Sequence, residues 1–353
     1  LQNATLLIRD GRVEAVGTNV SVPAGTVIAD LKGKRIYPAL IDIYSDYGMP
    51  EIPRAAPGGG RGGVPQIESN KKGAYYWNQA VQPENSASQL FKATPAKADE
   101  LRKLGFGTVL THPHDGIVRG TGALVTLADD RENTLVLKSD AAAHYSFSKG
   151  TSRQSYPNSM MGSVALLRQA LYDADWYKRG GNKEQSNLSL EALNRNQSLP
   201  AIFEGNDKLG VLRADKVGDE FGVQYIIKGG GDEYQRLDEI KATGASLIIP
   251  INFPQPYDVE DAWDADNVAL SELKHWEMAP LNASRLASAN IPFALTTAGL
   301  KNKADFWAIV RKAIENGLSE QKALEALTTT PAKLMKAEDM VGSLQKGRVA
   351  SFI

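Results

Sequence analysis

The run Thr111-His112-Pro113-His114-Asp115 is the one best equipped for chemistry. Histidines at alternate positions of a strand point to one side and share a metal-ligand spacing, and Asp115 stands close enough to orient one of them through a hydrogen bond. With Asp46 and Glu204 they would form a mixed nitrogen and oxygen site suited to zinc or manganese. Pro113 argues otherwise, because proline ends ladder pairing and the two rings then need not align. On that reading His112 and His114 are loop histidines bonded to nearby backbone. The other two of the four histidines are isolated: His144 follows an Ala-Ala-Ala run and His275 sits beside Trp276, and each is expected to be structural. Asp258, Glu260, Asp261, Asp264 and Asp266 surround Trp263 without the glycine and terminal glutamate of a calcium loop, so they read as a solvated loop. The chain has no Gly-x-Ser-x-Gly elbow, Walker loop or His-Glu-x-x-His helix.

The elements that must position such groups alternate. Helical periodicity over 98–105, 161–177, 304–315 and 320–327 is interleaved with strand-like runs at 107–111, 200–203, 223–227, 245–250 and 291–296. That alternation predicts an α/β fold built on a parallel sheet with helical crossovers, a (β/α)8 barrel. At the start, Thr5 to Gly17 reads as two short strands around an Asp10-Gly11 turn. With 353 residues, 42% apolar and 23% charged, the chain is ordinary for a globular protein. Net charge of −1 with mixed signs gives no electrostatic case for nucleic acid, and no apolar run reaches membrane-spanning length. The absence of cysteine excludes disulfides and thiolate sites and fits either chance in a cytoplasmic protein or an envelope or secreted one, the many Asn, Gln and Ser residues tilting slightly towards a periplasmic or secreted protein. The chain opens at Leu1 and closes at Ile353 inside a strand-like run, so both ends are expected to continue in a longer polypeptide.

The run Pro38-Ala39-Leu40-Ile41-Asp42-Ile43-Tyr44-Ser45-Asp46 resembles the first barrel strand of the amidohydrolase superfamily, Pro-Gly-Leu-Ile-Asp-x-His-x-His. Gly342-Ser343-Leu344 to Ala350, with Ser351 for the usual aspartate, and Thr330-Pro331-Ala332 resemble late motifs of the same family, in its imidazolonepropionase-like branch. The resemblance spans nearly the whole chain. It implies a small, incomplete β-sandwich from residues 1–37 and 338–353 and a barrel over 38–337. It also implies where a metal would be held. Tyr44 and Asp46 stand at the paired histidines of strand one, Glu204 at the histidine of strand five, and Gly229 at that of strand six. Ala298, after Thr297, replaces the aspartate that serves as base on strand eight, and Asp232 follows the Gly229-Gly230-Gly231 run. Asp46 and Glu204 would repel, so one should be protonated or paired with a basic residue, Lys228 being the closest in sequence. The insertion Pro50 to Gly63, rich in glycine and proline, matches no phosphate loop and reads as a surface loop, with a lid or partner contact as the alternative.

Departures at this many positions imply relaxed constraint, since a hydrolytic metal needs about three protein ligands and a nearby base. The resemblance therefore implies an amidohydrolase-like domain without its metal and without a cofactor, acting as a scaffold, partner or cap for a further amidohydrolase domain. One alternative is an active hydrolase of C–N bonds holding zinc or another divalent metal through unconventional ligands. Another is a peptide or small-molecule binding module that uses Tyr44 and Glu204 at the barrel mouth.

Overall fold

A computed structural model describes residues 1–52 and 66–353. Most of the 50–63 insertion therefore lies outside the described residues. Two strands, β1 (Thr5–Arg9) and β2 (Arg12–Gly17), form an antiparallel hairpin. Its turn is Asp10-Gly11, with φ of 50° and 71°, the left-handed pair that a tight hairpin turn requires and that Asp-Gly tolerates. The chain's far end pairs with the hairpin and with the approach to the barrel. The Val13 N–H donates to Arg348 O at 2.9 Å, and Tyr37 and Ile353 exchange backbone hydrogen bonds of 2.9 Å.

The other eight strands form one sheet in chain order: β3 (Leu40–Ser45), β4 (Phe106–Thr111), β5 (Val118–Thr126), β6 (Val136–Ser146), β7 (Ala201–Glu204), β8 (Tyr225–Lys228), β9 (Ser246–Pro250) and β10 (Phe293–Thr296). Side chains alternate across it. Ile202, Ile248 and Ala294 face the interior, and Phe203, Leu247 and Leu295 face the helices. The buried Asp42 carboxylate joins the first strand to the last. It accepts from the Thr296 hydroxyl at 2.6 Å and from the Thr297 N–H and hydroxyl at 2.9 and 2.6 Å. These bonds satisfy a carboxylate that burial would otherwise penalise heavily. At the opposite end of the interior, Ala332, Met335 and Val341 pack against the same apolar cluster.

The barrel expected from the sequence is present, with a small antiparallel sheet, but one strand departs from the regular pattern. β5 pairs antiparallel with both β4 and β6, whereas every other neighbouring pair is parallel. Neither β5 nor β6 was apparent beforehand. β5 carries Gly120 and Gly122, and β6 carries Ala141-Ala142-Ala143, residues with little strand preference of their own. Close packing explains the glycines. A Cβ on Gly120 would strike the Asn85 backbone, and one on Gly122 would lie 2.5 Å from His144 Nε2. Among the described residues no helix is long and apolar enough to cross a membrane.

Candidate functional site at the barrel mouth

Reversal of β5 places its first residues where the parallel strands end, and so brings Arg119 into the mouth. This arginine is nearly buried and fully engaged. Its Nε donates to Gly116 O at 3.1 Å, Nη1 to the Tyr44 hydroxyl at 3.2 Å, and Nη2 lies 2.5 Å from Glu204 Oε2. Burial alone would favour a neutral guanidine, but Tyr44 and Glu204 more than offset it and keep the group cationic. Burial also raises Glu204, yet the Arg119 charge and a hydrogen bond from Asn206 outweigh it and bring the carboxyl down to about 2. Glu204 is thus paired with Arg119, while Lys228 donates to Asn206 Oδ1 at 2.6 Å. Burial lowers the Lys228 ammonium, with Glu204 and Glu233 opposing.

Tyr44 is buried, and desolvation followed by the Glu204 charge pushes its phenol far above its ordinary value. It remains a neutral phenol, a poor metal ligand. Its ring meets His112 and His114 edge-on, with centroids 4.7 and 5.0 Å apart. His112 lies between His114 and His144, stacked at 4.0 and 3.7 Å. Burial, then the neighbouring histidines and Arg119, hold His112 and His144 well below the usual imidazole range. Burial and Arg119 lower His114 too, against the pull of Glu204 and Asp46. The ring nitrogens of His112 and His144 have no hydrogen-bond partner among the described residues. His144, isolated in sequence, thus belongs to this cluster, and His112 is not bonded to nearby backbone. His114 does approach Ser45 O, at 3.3 Å.

The remaining positions are arranged differently. Asp46 is exposed at the rim. Gly229 faces the buried Glu233, whose carboxylate occupies the space that a Cβ at 229 would need. The Glu233 carboxylate also accepts from the Gly230 and Gly231 N–H groups at 2.8 and 3.2 Å and from Asn282 at 2.6 Å. Asp232 is drawn away to the helix Lys208–Phe221, accepting from the Lys208 N–H and ammonium at 2.8 and 2.9 Å. Thr297 is committed to Asp42, and Ala298 packs against the interior cluster. Arg119 was missed because 115–125 reads as a loop before a glycine-rich run. An arginine inside Val118-Arg119-Gly120 to Val125, whose apolar members signal burial, was the available clue, since a buried guanidinium requires an acidic partner.

The orphaned imidazole nitrogens are the one feature that would welcome a metal. The rest of the donor set does not fit one. Stacked rings do not converge their nitrogens on a point, Arg119 places a fixed positive charge beside them, and Glu204 is already paired. Among the described residues no group of three or more His, Asp or Glu side chains is arranged to hold an ion.

If Tyr44 fills this space as a packed side chain, Tyr44→Ala should destabilise the protein by about 3 kcal/mol in urea unfolding, as aromatic truncations in cores do. Tyr44→Phe, which removes only the hydroxyl that Arg119 reaches, should cost about 1 kcal/mol. A loss below about 1 kcal/mol for the alanine variant would count against the packing role.

No family model matches the chain, and no curated protein matches it. Solved structures do resemble it. An amidohydrolase from Thermotoga maritima MSB8 is 22% identical, with 98% of this chain and 88% of that one covered and a TM-score of 0.73. Molinate hydrolase is 15% identical over 100% of this chain and 85% of its own, at 0.53. A prolidase complexed with N-methylphosphonate-L-proline is 14% identical over 98% and 86%, at 0.50. Identities this low speak to architecture rather than to chemistry. The chain has the fold of the amidohydrolases.

Proposed function

We propose that this chain is a non-catalytic domain of amidohydrolase fold, in which an arginine–glutamate ion pair stands where relatives of the fold place a metal. The observation that carries the reading is Arg119. Its buried guanidinium is bound to Glu204, the residue at the strand-five ligand position, and to Tyr44, at a strand-one ligand position. A fixed cation there neutralises the carboxylate and fills the mouth, but it offers no open coordination position and activates no water. Ala298 has no acid to take a proton, which removes the other half of a hydrolytic mechanism. In this reading the domain serves as a scaffold, partner or cap for a further amidohydrolase domain in the same polypeptide or assembly.

The second reading, an active hydrolase of amide or peptide bonds, draws on two things. The fold is shared with an amidohydrolase and a prolidase, and the His112 and His144 nitrogens have no partner among the described residues. Elemental analysis after extensive dialysis separates the two. Well under one equivalent of zinc, manganese, iron or nickel is expected. Stoichiometric metal, removed by chelator together with a measurable amidase or peptidase activity, would defeat the first reading and make His112 and His114 the leading ligands.

A further inference from the structure

Beside the barrel, Tyr75 and Tyr76 form a wall shared by two cavities. The first, about 260 Å³, is aromatic: Trp77, Trp176 and Tyr177 complete it, with Asp173 at hand. The second, about 430 Å³, is lined largely by amides and hydroxyls, among them Asn78, Gln79, Gln82 and Ser152. Large rings left in water forgo much of the gain from burial. Here Trp77 and Trp176 are 47% and 44% exposed, and Tyr156, stacked on Trp77, is 40% exposed. Such a patch marks a surface with something to bind.

The rings are held in place. The Tyr76 hydroxyl donates to Asp173 at 2.7 Å, its N–H donates to the Ser189 hydroxyl at 3.1 Å, and the Tyr177 hydroxyl accepts from the Asn187 N–H at 3.2 Å. One face of Trp176 lies on Gly181, where an added Cβ would come within 2.7 Å of the indole. The cleft is thus formed in advance, which lowers the ordering cost of binding.

Charge narrows the choice of ligand. In the second cavity Lys71 is paired with Glu84 and lies over the Tyr75 ring, 4.0 Å from its centroid. Asp115 accepts from the Thr151 N–H and hydroxyl, both at 2.6 Å. Lys71 and Glu84 neutralise one another and Asp115 is hydrogen-bonded by Thr151, so among the described residues an anionic ligand meets no free cation there. Asp173 accepts one bond on each oxygen, from Tyr76 and Gln169, and keeps acceptor capacity on both. Flat aromatic faces beside amides and a carboxylate acceptor match a sugar ring. Its C–H face carries partial positive charge towards the π-cloud, and its hydroxyl rim needs bidirectional hydrogen bonding.

We propose that the first cavity binds a neutral carbohydrate, a short oligosaccharide laid across Trp77 and Trp176 with its hydroxyls towards Asp173 and the amides of Gln185 and Asn187. The site is separate from the barrel mouth and does not depend on how the mouth is read. Calorimetric titration of the intact chain with maltotriose, cellotriose and triacetylchitotriose, followed in parallel by tryptophan fluorescence, tests it. At least one of these should bind with a Kd below about 10 mM. Trp77→Ala and Trp176→Ala should each weaken that binding by about tenfold or more, with the circular dichroism spectrum unchanged. Asp173→Asn, which keeps the shape of the cleft, should weaken it by about threefold or more and serves if an alanine variant fails to fold. Tetramethylammonium, which an aromatic cage would favour, is the competing probe. Binding of that cation without any sugar, binding of none of the probes, or sugar binding that survives these substitutions overturns the proposal.

Discussion

Arg119→Ala will destabilise the protein by about 3 to 5 kcal/mol, the range expected when one partner of a buried ion pair is removed. The loss is large because of what remains. Glu204 would be left as a mostly buried carboxylate with only Asn206 and the more distant Lys228 to support it, and the Tyr44 hydroxyl would lose its donor. A buried pair need not itself add to stability, since desolvation of both charges offsets their attraction. Arg119→Met combined with Glu204→Leu should therefore recover most of the loss. Urea unfolding of the two single variants and the double variant gives the coupling directly. Additive effects, with no recovery in the double variant, would show that Arg119 acts through packing alone.

Acid will unfold this protein earlier than its carboxylates alone would dictate. His112, His114 and His144 all have folded values lowered from 6.5, chiefly by burial. Below pH 6.5 the unfolded chain binds protons at these rings that the folded chain does not. Their contribution is therefore complete above 6.5 and is lost as pH falls through 6.5 towards the folded values. Each such proton changes stability by about 1.4 kcal/mol per pH unit, so the three together approach about 4 kcal/mol per unit where all are linked. Glu204 adds a second loss in the same direction at lower pH, between its unfolded value of 4.5 and its folded value of about 2. Glu233 opposes it. Burial raises its folded value, so its contribution is present below 4.5 and is lost as pH rises through that raised value, but it is a single group. Denaturant midpoints between about pH 7 and pH 5 should fall steeply, and His112→Phe should remove about one proton from the slope. A flat profile over that interval would rule out a buried neutral histidine stack.

Much of the architecture was readable in the residues because it rests on local patterns. The helix Met160–Lys178 and the strands β7, β9 and β10 follow from apolar periodicity, and the Asp10-Gly11 turn from the backbone freedom of those two residues. The strand Leu40–Ser45 was legible from its apolar run and its family-like motif. The composition of the mouth was legible in part: the motifs singled out Tyr44 and Glu204, which the structure joins through Arg119. Tertiary structure alone decided how those positions are filled. The direction of β5 is set by pairing with β4 and β6 rather than by its own glycine-rich residues, and that direction delivers Arg119 to Glu204 across 85 positions of sequence. His112, just past the end of β4, and His144, on β6, stack only because Gly122 leaves room for the His144 ring. Gly229 is silent as a ligand in any sequence, but only the folded chain shows Glu233 in the space a side chain would take. Local propensity acts over a few neighbours, whereas burial and charge pairing act between residues that the barrel brings together, so the sequence determined the frame and the fold determined the site.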